Sequence, residues 1–169
     1  MRKILSAVAV SVLLAGCNSM GTEISPTFEP QQAAFVRMPG NTTIMGAISA
    51  TPENGVEVTA ARSVVRLIPD TPYARDRFAK LYAGRSFAPL TAGSRVPPAD
   101  PAYGQYSRTV TADAQGNYKF DRVAPGQYFV SAQVSCPREA KECAGGSVYN
   151  IVTVTGGEGG PVRLDLVGD

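Results

Sequence analysis

The chain contains no histidine and no tryptophan, and only three of its 169 residues are cysteine. Without an imidazole it lacks the side chain that most often serves as a general base near neutral pH, and also a common zinc ligand. It contains neither a Ser-x-x-Lys nor a Gly-x-Ser-x-Gly motif. These absences argue against the common hydrolases and metalloenzymes, and we expect a protein that is not an enzyme and holds neither cofactor nor metal.

The one glycine-rich run, "TGGEGG" (155–160), does not have the context of a phosphate-binding loop. It lies between two predicted strands and no helix follows it, whereas such loops present helix N-terminal amides to the anion. The run therefore predicts a hairpin loop.

Two of the cysteines, Cys136 and Cys143, are separated by only six residues. In an oxidising compartment an isolated pair at this spacing predicts a disulfide that closes a short loop. A metal site would need a further ligand, and a CxxC redox motif would need two intervening residues. We therefore predict a structural disulfide.

The first 16 residues have the pattern of a secretory signal peptide. Arg2 and Lys3 precede a thirteen-residue apolar run (4–16), which is too short to cross a bilayer as a helix. The run ends in "LAGC", and this junction resembles the lipobox of bacterial lipoproteins. The resemblance implies cleavage before Cys17, transfer of a diacylglycerol to its sulfur, and three acyl chains with palmitate among them on the mature protein, which together anchor a protein stably. Asn18 in place of aspartate implies the outer membrane, at its periplasmic face.

Cleavage would also remove the net charge of the chain. Without Arg2 and Lys3, the 16 basic side chains become 14, which equals the 14 acidic ones. A neutral protein has no overall field to attract nucleic acid, so no nucleic-acid partner is expected.

The remaining chain divides into a tether and one domain. Residues 17–40 are polar and are interrupted by Pro26, Pro30 and Pro39, which predicts a lipidated tether, although "AAFVRM" (33–38) alternatively docks as an edge strand. Residues 41–169 are long enough for a single domain with its own core.

This domain has the pattern of an all-β protein. Short β-branched and aromatic runs alternate with Gly, Pro, Asn and Asp, as in a sandwich. Gly46 inside the first run predicts a bulge or a close backbone approach. Seven strands are predicted, at 42–49, 63–69, 106–112, 118–123, 127–135, 147–154 and 161–167.

The clearest local pattern is "DAQGNYKFDRVAPGQYFVSA" (113–132). Asp113 and Gly116 predict a turn, and Tyr118 and Phe120 share one face of the strand that follows. The Pro-Gly pair at 125–126 predicts a type II turn into a strand whose even-numbered residues, 128–134, face one side. The stretch predicts a hairpin within a meander, covered by a second sheet.

Extended to 111–134, this stretch resembles the core signature of carboxypeptidase regulatory-like domains and of collagen-adhesin B-type repeats. The stretch 46–69 is similar to the first two strands of such domains. The resemblance implies a seven-stranded prealbumin-like (transthyretin-like) Greek-key β-sandwich, with no chemistry of its own. It is carried by Asp113, Gly116, Tyr118, Phe120, Pro125, Gly126 and Tyr128.

The chain departs from these families where their chemistry lies. The adhesin repeats use a lysine on the first strand for an isopeptide bond, but the lysines after residue 16 are Lys80, Lys119 and Lys141. The peptidase that gives the regulatory-like domain its name needs histidine. So do the enzymes with transthyretin-like folds, such as hydroxyisourate hydrolases and intradiol dioxygenases. Neither the cross-link nor these activities are expected.

The connection 70–105, between the second and third predicted strands, is long enough to predict a structured insertion. Thr71 as N-cap, Pro72 in the first turn and Gly84 after the end predict a helix over 72–83.

The segment 70–108 carries six basic, three acidic and six aromatic side chains. Arg and Tyr are frequent in binding hot spots, so this segment is predicted to bind a partner protein. Alternatively, Phe78, Leu81 and Tyr82 cover an open edge or end of the sandwich while the arginines are solvated. The predicted binding residues are Tyr73, Arg75, Arg77, Phe78, Tyr82 and Arg85.

The sequence thus predicts a non-catalytic outer-membrane lipoprotein with a structural or adaptor role in the cell envelope. The alternative is a carbohydrate- or peptidoglycan-binding module, because aromatic rings beside arginines can stack on sugars and hold anionic groups.

Overall fold

The computed structural model describes residues 23–51, 60–136 and 145–168. Cys17, the signal peptide 1–16 and Cys143 lie outside them, so the lipidation and the pairing of Cys136 with Cys143 stay predictions. No helix in the described ranges is long and apolar enough to cross a membrane. The strands are β1 (Thr42–Ala50), β2 (Val64–Pro69), β3 (Phe87–Pro89), β4 (Arg108–Thr111), β5 (Asn117–Val123), β6 (Gly126–Val134), β7 (Gly146–Val154), β8 (Val162–Arg163) and β9 (Leu166–Gly168). The helices are α1 (Pro30–Ala33) and α2 (Pro72–Tyr82), with 3₁₀ segments at Ala34–Arg37, Leu90–Arg95 and Tyr103–Tyr106.

The strands form two sheets, which confirms the all-β sandwich. One sheet has the order β5-β1-β8, with β9 also paired to β1, and the other has the order β3-β7-β6-β2-β4. β8 and β9 run parallel to β1, and the other pairs are antiparallel. The described residues contain nine strands where seven were predicted, and the Greek-key and prealbumin assignments stay predictions.

The core lies between the two sheets, and the predicted alternation of side chains is confirmed. Tyr118 and Phe120 of β5 point inward, as do residues 128, 130, 132 and 134 of β6. Asp113 forms the predicted turn by accepting the N–H groups of Gln115 and Asn117 at 2.9 and 2.8 Å. The local rules of strands and turns therefore operate as the sequence suggests.

The predicted hairpin between β5 and β6 is wrong. β5 pairs with β1 in one sheet, whereas β6 pairs with β2 and β7 in the other. The Pro-Gly pair at 125–126 therefore crosses between sheets, and a Cβ at Gly126 would lie 2.4 Å from the Phe35 ring. A short Pro-Gly connection between two alternating strands suits both a hairpin and such a corner, and only long-range pairing decides between them.

Gly46 marks the close backbone approach that the sequence predicts. A Cβ there would lie 1.8 Å from the carbonyl oxygen of Leu164, in the connection between β8 and β9. Asp165 in this connection takes the place of a strand partner on this side of β1, because its carboxylate accepts the N–H of Ala47 at 2.9 Å. The last predicted strand is split in two at this point.

The glycine-rich loop 155–160 connects β7 and β8, which lie in different sheets, so the predicted hairpin loop is wrong. Its backbone N–H groups are occupied by the carboxylate of Glu158, which accepts from Thr155 and from Gly156. The same carboxylate accepts the hydroxyl of Thr42 on β1. The carboxylate of Glu158 thus connects this loop to β1.

These hydrogen bonds, first among them the one from Thr42, lower the pKa of Glu158 from 4.5 to about 2. Because the folded-state pKa is depressed, the ionised carboxylate stabilises the fold above the unfolded pKa, and this is lost as the pH falls from 4.5 towards 2. We expect the wild type to lose stability over this interval relative to Glu158→Gln, as measured by urea denaturation at successive pH values. A difference between the two proteins that stays constant with pH would contradict the assignment.

Residues 23–40 pack against the domain, so the predicted tether is wrong for this part of the chain. Pro30 begins α1, which continues into the 3₁₀ segment, and 33–38 does not form an edge strand. Phe28 and Ala33 are buried against Tyr73 of α2, and Val36 joins the main core. These few apolar side chains, spaced among polar ones, gave no periodicity that sequence analysis detects.

Candidate functional site

The outer face of the five-stranded sheet carries a patch of polar side chains. Arg66 of β2 lies opposite Ser131 of β6, which in turn lies opposite Tyr149 of β7. Two residues further along β6, Gln133 lies opposite Ser147. Because strand side chains alternate, these residues point away from the core that their neighbours form. The outer face therefore offers hydroxyl, amide and guanidinium groups in adjacent rows.

Helix α2 is held across part of this face. Thr71 caps its N-terminus by accepting the N–H of Ala74 at 3.2 Å, and Ala83 ends it in the left-handed conformation. The helix begins at Pro72 as predicted and ends at Tyr82, one residue before the predicted end at 83. Since only Asp70 separates Thr71 from the end of β2, the helix turns back over the sheet that contains β2.

Aromatic stacking fixes α2 on the sheet. The Phe78 ring stacks on Phe129 of β6 with centroids 4.2 Å apart and an interplanar angle of 19°, and it meets Tyr149 edge-on at 5.1 Å. Ile68 of β2 is buried in the same cluster. Large aromatic contacts of this kind form a second, smaller core outside the sandwich.

Tyr82 joins the end of α2 to β7. Its ring lies 4.2 Å from that of Tyr149, and its hydroxyl donates to the Ser147 Oγ at 2.9 Å. Burial raises the pKa of Tyr82 to about 12, so the hydroxyl remains a neutral donor at physiological pH. This hydrogen bond fixes the ring as a wall beside the polar rows.

Arg77 is held in place on the same side of α2. Its Nη1 donates to the carbonyl of Pro97 at 3.0 Å, and its guanidinium lies 5.7 and 5.8 Å from the ring centroids of Tyr73 and Tyr103. Cation–π contacts and one carbonyl position the group but leave other N–H donors of its five for a ligand.

A groove of about 230 Å³ lies between α2 and the uncovered part of the sheet. It combines aromatic and aliphatic walls with hydroxyl, amide and guanidinium groups, as in pockets for ligands that are both apolar and hydroxylated. Its volume is below the roughly 300–1,000 Å³ of pockets that enclose drug-sized ligands, which suits one unit or one end of a longer ligand. The lining residues are Arg66, Ile68, Arg77, Phe78, Leu81, Tyr82, Val96, Tyr103, Ser131, Ala132, Gln133 and Ser147.

The groove brings together three of the six predicted binding residues, Arg77, Phe78 and Tyr82, and not the other three. Phe78 and Tyr82 are buried on the outer face of the five-stranded sheet, close to the alternative in which they cover an edge or end of the sandwich. The Tyr73 ring is buried in a separate cluster with Phe28. The arginines are the accessible members: Arg85 is exposed, and Arg75 is exposed and pairs with Asp70 at 2.6 Å. Whether this segment binds a partner protein stays a prediction.

Sequence analysis missed the strand side of the groove. Ser131 and Gln133 were assigned to the face opposite the core but not to a site, and Arg66 was not singled out. Their alternation with apolar residues was a detectable signal. Their proximity to α2 was not detectable, because it depends on where a helix distant in sequence docks.

The described ranges contain no cluster of three or more His, Cys, Asp or Glu residues placed to hold a metal ion. The expectation of no cofactor and no catalytic residue stays a prediction.

No family model matches this chain, and no curated protein matches it. Among solved structures it is similar to a putative carbohydrate binding protein from Pseudomonas aeruginosa, with 26% sequence identity and a TM-score of 0.66. The similarity covers 84% of this chain and 98% of that protein. The two proteins therefore share their architecture over nearly the whole of the neighbour.

Proposed function

We propose that this protein is a non-catalytic carbohydrate-binding module of the cell envelope, which binds a glycan in the groove between α2 and the five-stranded sheet. The observation that carries the proposal is the lining of this groove, where aromatic walls adjoin guanidinium, amide and hydroxyl groups. The solved structure described above, with its name of a putative carbohydrate binding protein, supports the same ligand class.

A sugar unit has the two kinds of surface that this groove offers. Its C–H faces pack on apolar and aromatic side chains, while its hydroxyls need donors and acceptors around their rim. Arg66 and Gln133 are exposed and reach a ligand without unfolding any element. Gln133 supplies both a donor and an acceptor, and Arg66 supplies donors only.

The arrangement favours a glycan over the protein partner that was first expected. Hot-spot residues of protein interfaces present their rings to the partner. Here Phe78 and Tyr82 are buried against other rings of the protein. The half-buried side chains of Leu81 and Tyr103 are the apolar part of the lining that a sugar can contact. A structural or adaptor role through 70–108 remains the alternative proposal.

The predicted lipid anchor would locate this function at the outer membrane. Acylated Cys17 lies six residues before Glu23, and six extended residues reach at most about 20 Å. An anchored protein of this kind would hold its groove near the outer membrane, at the periplasmic face, where cell-wall glycan is available. Anchoring and localisation are part of the proposal.

The test removes polar groups of the groove without touching its aromatic walls. We expect the wild-type protein to be retained by a glycan on an array, or to sediment with purified cell-wall sacculi, and the double variant Arg66→Ala/Gln133→Ala to bind about tenfold more weakly or worse. Both side chains are exposed, so the variant should keep its stability within about 0.5 kcal/mol.

Arg75→Ala is the matched control for the loss of an arginine. Arg75 is exposed, its partner is Asp70, and it does not line the groove. It should bind glycan like the wild type. Retention of no glycan by the wild type, or equal retention of all three proteins, would refute the proposed function.

A further inference from the structure

A second depression, of about 610 Å³, lies on the open side of the sandwich where β4 and β5 are the edge strands of their sheets. It has a different character from the groove, because three of its seven lining residues are arginines and only one is acidic. The lining residues are Val36, Arg37, Met38, Pro39, Arg108, Asp121 and Arg122. We call Arg37, Arg108 and Arg122 the arginine cluster.

The one carboxylate of the depression, that of Asp121, has its own hydrogen-bond and ion-pair partners. Asp121 accepts the hydroxyl of Thr43 at 3.1 Å and pairs with Lys119 at 3.0 Å. Lys119 is therefore its main charged partner, and its weaker attraction to Arg108 leaves the positive charge of the arginine cluster in excess.

Arg108 is positioned by neutral acceptors. Its guanidinium donates to the backbone carbonyls of Asp121 and Arg122, the latter at 3.2 Å. Hydrogen bonds to carbonyl oxygens fix the direction of the group but leave its full positive charge.

Arg37 is held in a similar way. Its Nη2 donates to the carbonyl of Gln105 at 2.9 Å, and its guanidinium lies 3.8 Å from the centroid of the Tyr106 ring. The ring face attracts the cation without cancelling its charge. This second guanidinium is therefore fixed in position and keeps its positive charge.

Arg122 adds the third charge from a backbone conformation that is unusual for its type. Its φ of 55° lies in the left-handed region, where non-glycine residues are uncommon. Its carbonyl is held by the N–H of Gly40 at 3.2 Å as well as by Arg108. Within the described ranges its side chain has no hydrogen-bond or ion-pair partner. Arg122 lies where the register of β5 against β1 shifts, and this irregularity and the two contacts on its carbonyl fix the backbone from which its side chain extends.

We propose that the arginine cluster is a subsite for an oxyanion, and that the ligand of this protein is an acidic glycan whose carboxylate or phosphate group binds there. The inference rests on the proposed function. Three guanidinium groups around one opening supply forked donors that match the planar or tetrahedral geometry of these anions.

The segment Tyr103–Tyr106 relates the cluster to the groove. Tyr103 lines the groove, whereas the carbonyl of Gln105 and the ring of Tyr106 hold Arg37. At about 2 Å rise per residue, a 3₁₀ segment separates its first and last residues by roughly 6 Å. The two sites are therefore connected through one short segment, and a chain of several sugars is the kind of ligand that could contact both.

Arg122→Gln in the full-length protein gives the sharpest test, because it removes a charge that no internal contact uses. On an array that pairs acidic oligosaccharides with their methyl esters or dephosphorylated forms, we expect the wild type to prefer the acidic member about tenfold. The preference should disappear in Arg122→Gln, persist largely in Arg122→Lys, and be unchanged in Arg75→Gln. Titration with inorganic phosphate at low ionic strength should shift the NMR signals of the cluster's guanidinium groups in the wild type.

Several results would overturn the inference and can be told apart. If both members of each pair bind equally, the oxyanion subsite is wrong while the proposed function stands. If no member of any pair binds, the proposed function fails together with it. If phosphate shifts none of the three guanidinium groups, there is no anion site. If Arg122→Gln loses binding to phosphatidylglycerol vesicles and not to acidic glycans, the cluster recognises a lipid headgroup instead.

Discussion

Phe78→Ala is expected to lower the free energy of unfolding by about 3–5 kcal/mol, the range for removal of a buried phenylalanine ring. Phe78 is 7% exposed, and its ring stacks on Phe129 at 4.2 Å. The truncation leaves a cavity between α2 and the sheet, and the hydrogen bond from the Tyr82 hydroxyl to Ser147 of β7 limits how far the helix can move to fill it. Urea denaturation measures the loss.

The effect should be concentrated in α2, because the sandwich core lies on the other side of the sheet. Hydrogen exchange is therefore expected to accelerate in Pro72–Tyr82 more than in β6 or β7. Glycan binding should fall with it, since Phe78 and Tyr82 form one wall of the groove.

Two controls separate docking from helix propensity. Phe78→Leu keeps most of the apolar volume and should lose much less stability. Ala79→Gly lies on the exposed side of α2 and should cost about 1 kcal/mol through propensity alone. If Phe78→Ala cost no more than Ala79→Gly, the aromatic stack would not be what holds the helix.

Gly46→Ala is expected to destabilise the protein by about 3 kcal/mol or more, at the upper end for steric insertion into a packed site. The new Cβ would lie 1.8 Å from the Leu164 carbonyl oxygen, which is backbone and cannot rotate away. β1 and the connection between β8 and β9 would have to separate, with loss of the hydrogen bond between Ala47 and Asp165. For a chain of this length the melting temperature should fall by roughly 10 °C.

Gly104→Ala is the matched control. A Cβ at Gly104 meets no atom within 4 Å, and its φ is not in the left-handed region. This change should leave the melting temperature unchanged or raise it slightly, because alanine restricts the unfolded chain. Equal effects of the two substitutions would mean that the contact between Gly46 and Leu164 does not limit packing.

The arginines show most clearly which binding residues could be predicted from the sequence and which could not. Arg77 was predicted as a binding residue from composition alone, and it lines the groove. Arg66 and Arg122 were not singled out, because nothing near them in the chain distinguishes them from solvated arginines. Ser131, the neighbour of Arg66, comes from a strand distant in sequence. Arg108, the neighbour of Arg122, lies on the preceding strand, which belongs to the other sheet.

The sequence by itself determined seven strand regions, the alternation of side chains along them, the turn at Asp113, the glycine contact at Gly46 and the start of α2, but not the short strand β3. These features depend on alternation, capping and backbone conformation, which act over a few residues. Only the tertiary structure decided that β5 and β6 belong to different sheets, that 23–40 packs on α2, and that the groove and the arginine cluster exist. Each of these depends on contacts between segments far apart in the chain, whose free energy is a sum over many partners that no local pattern records.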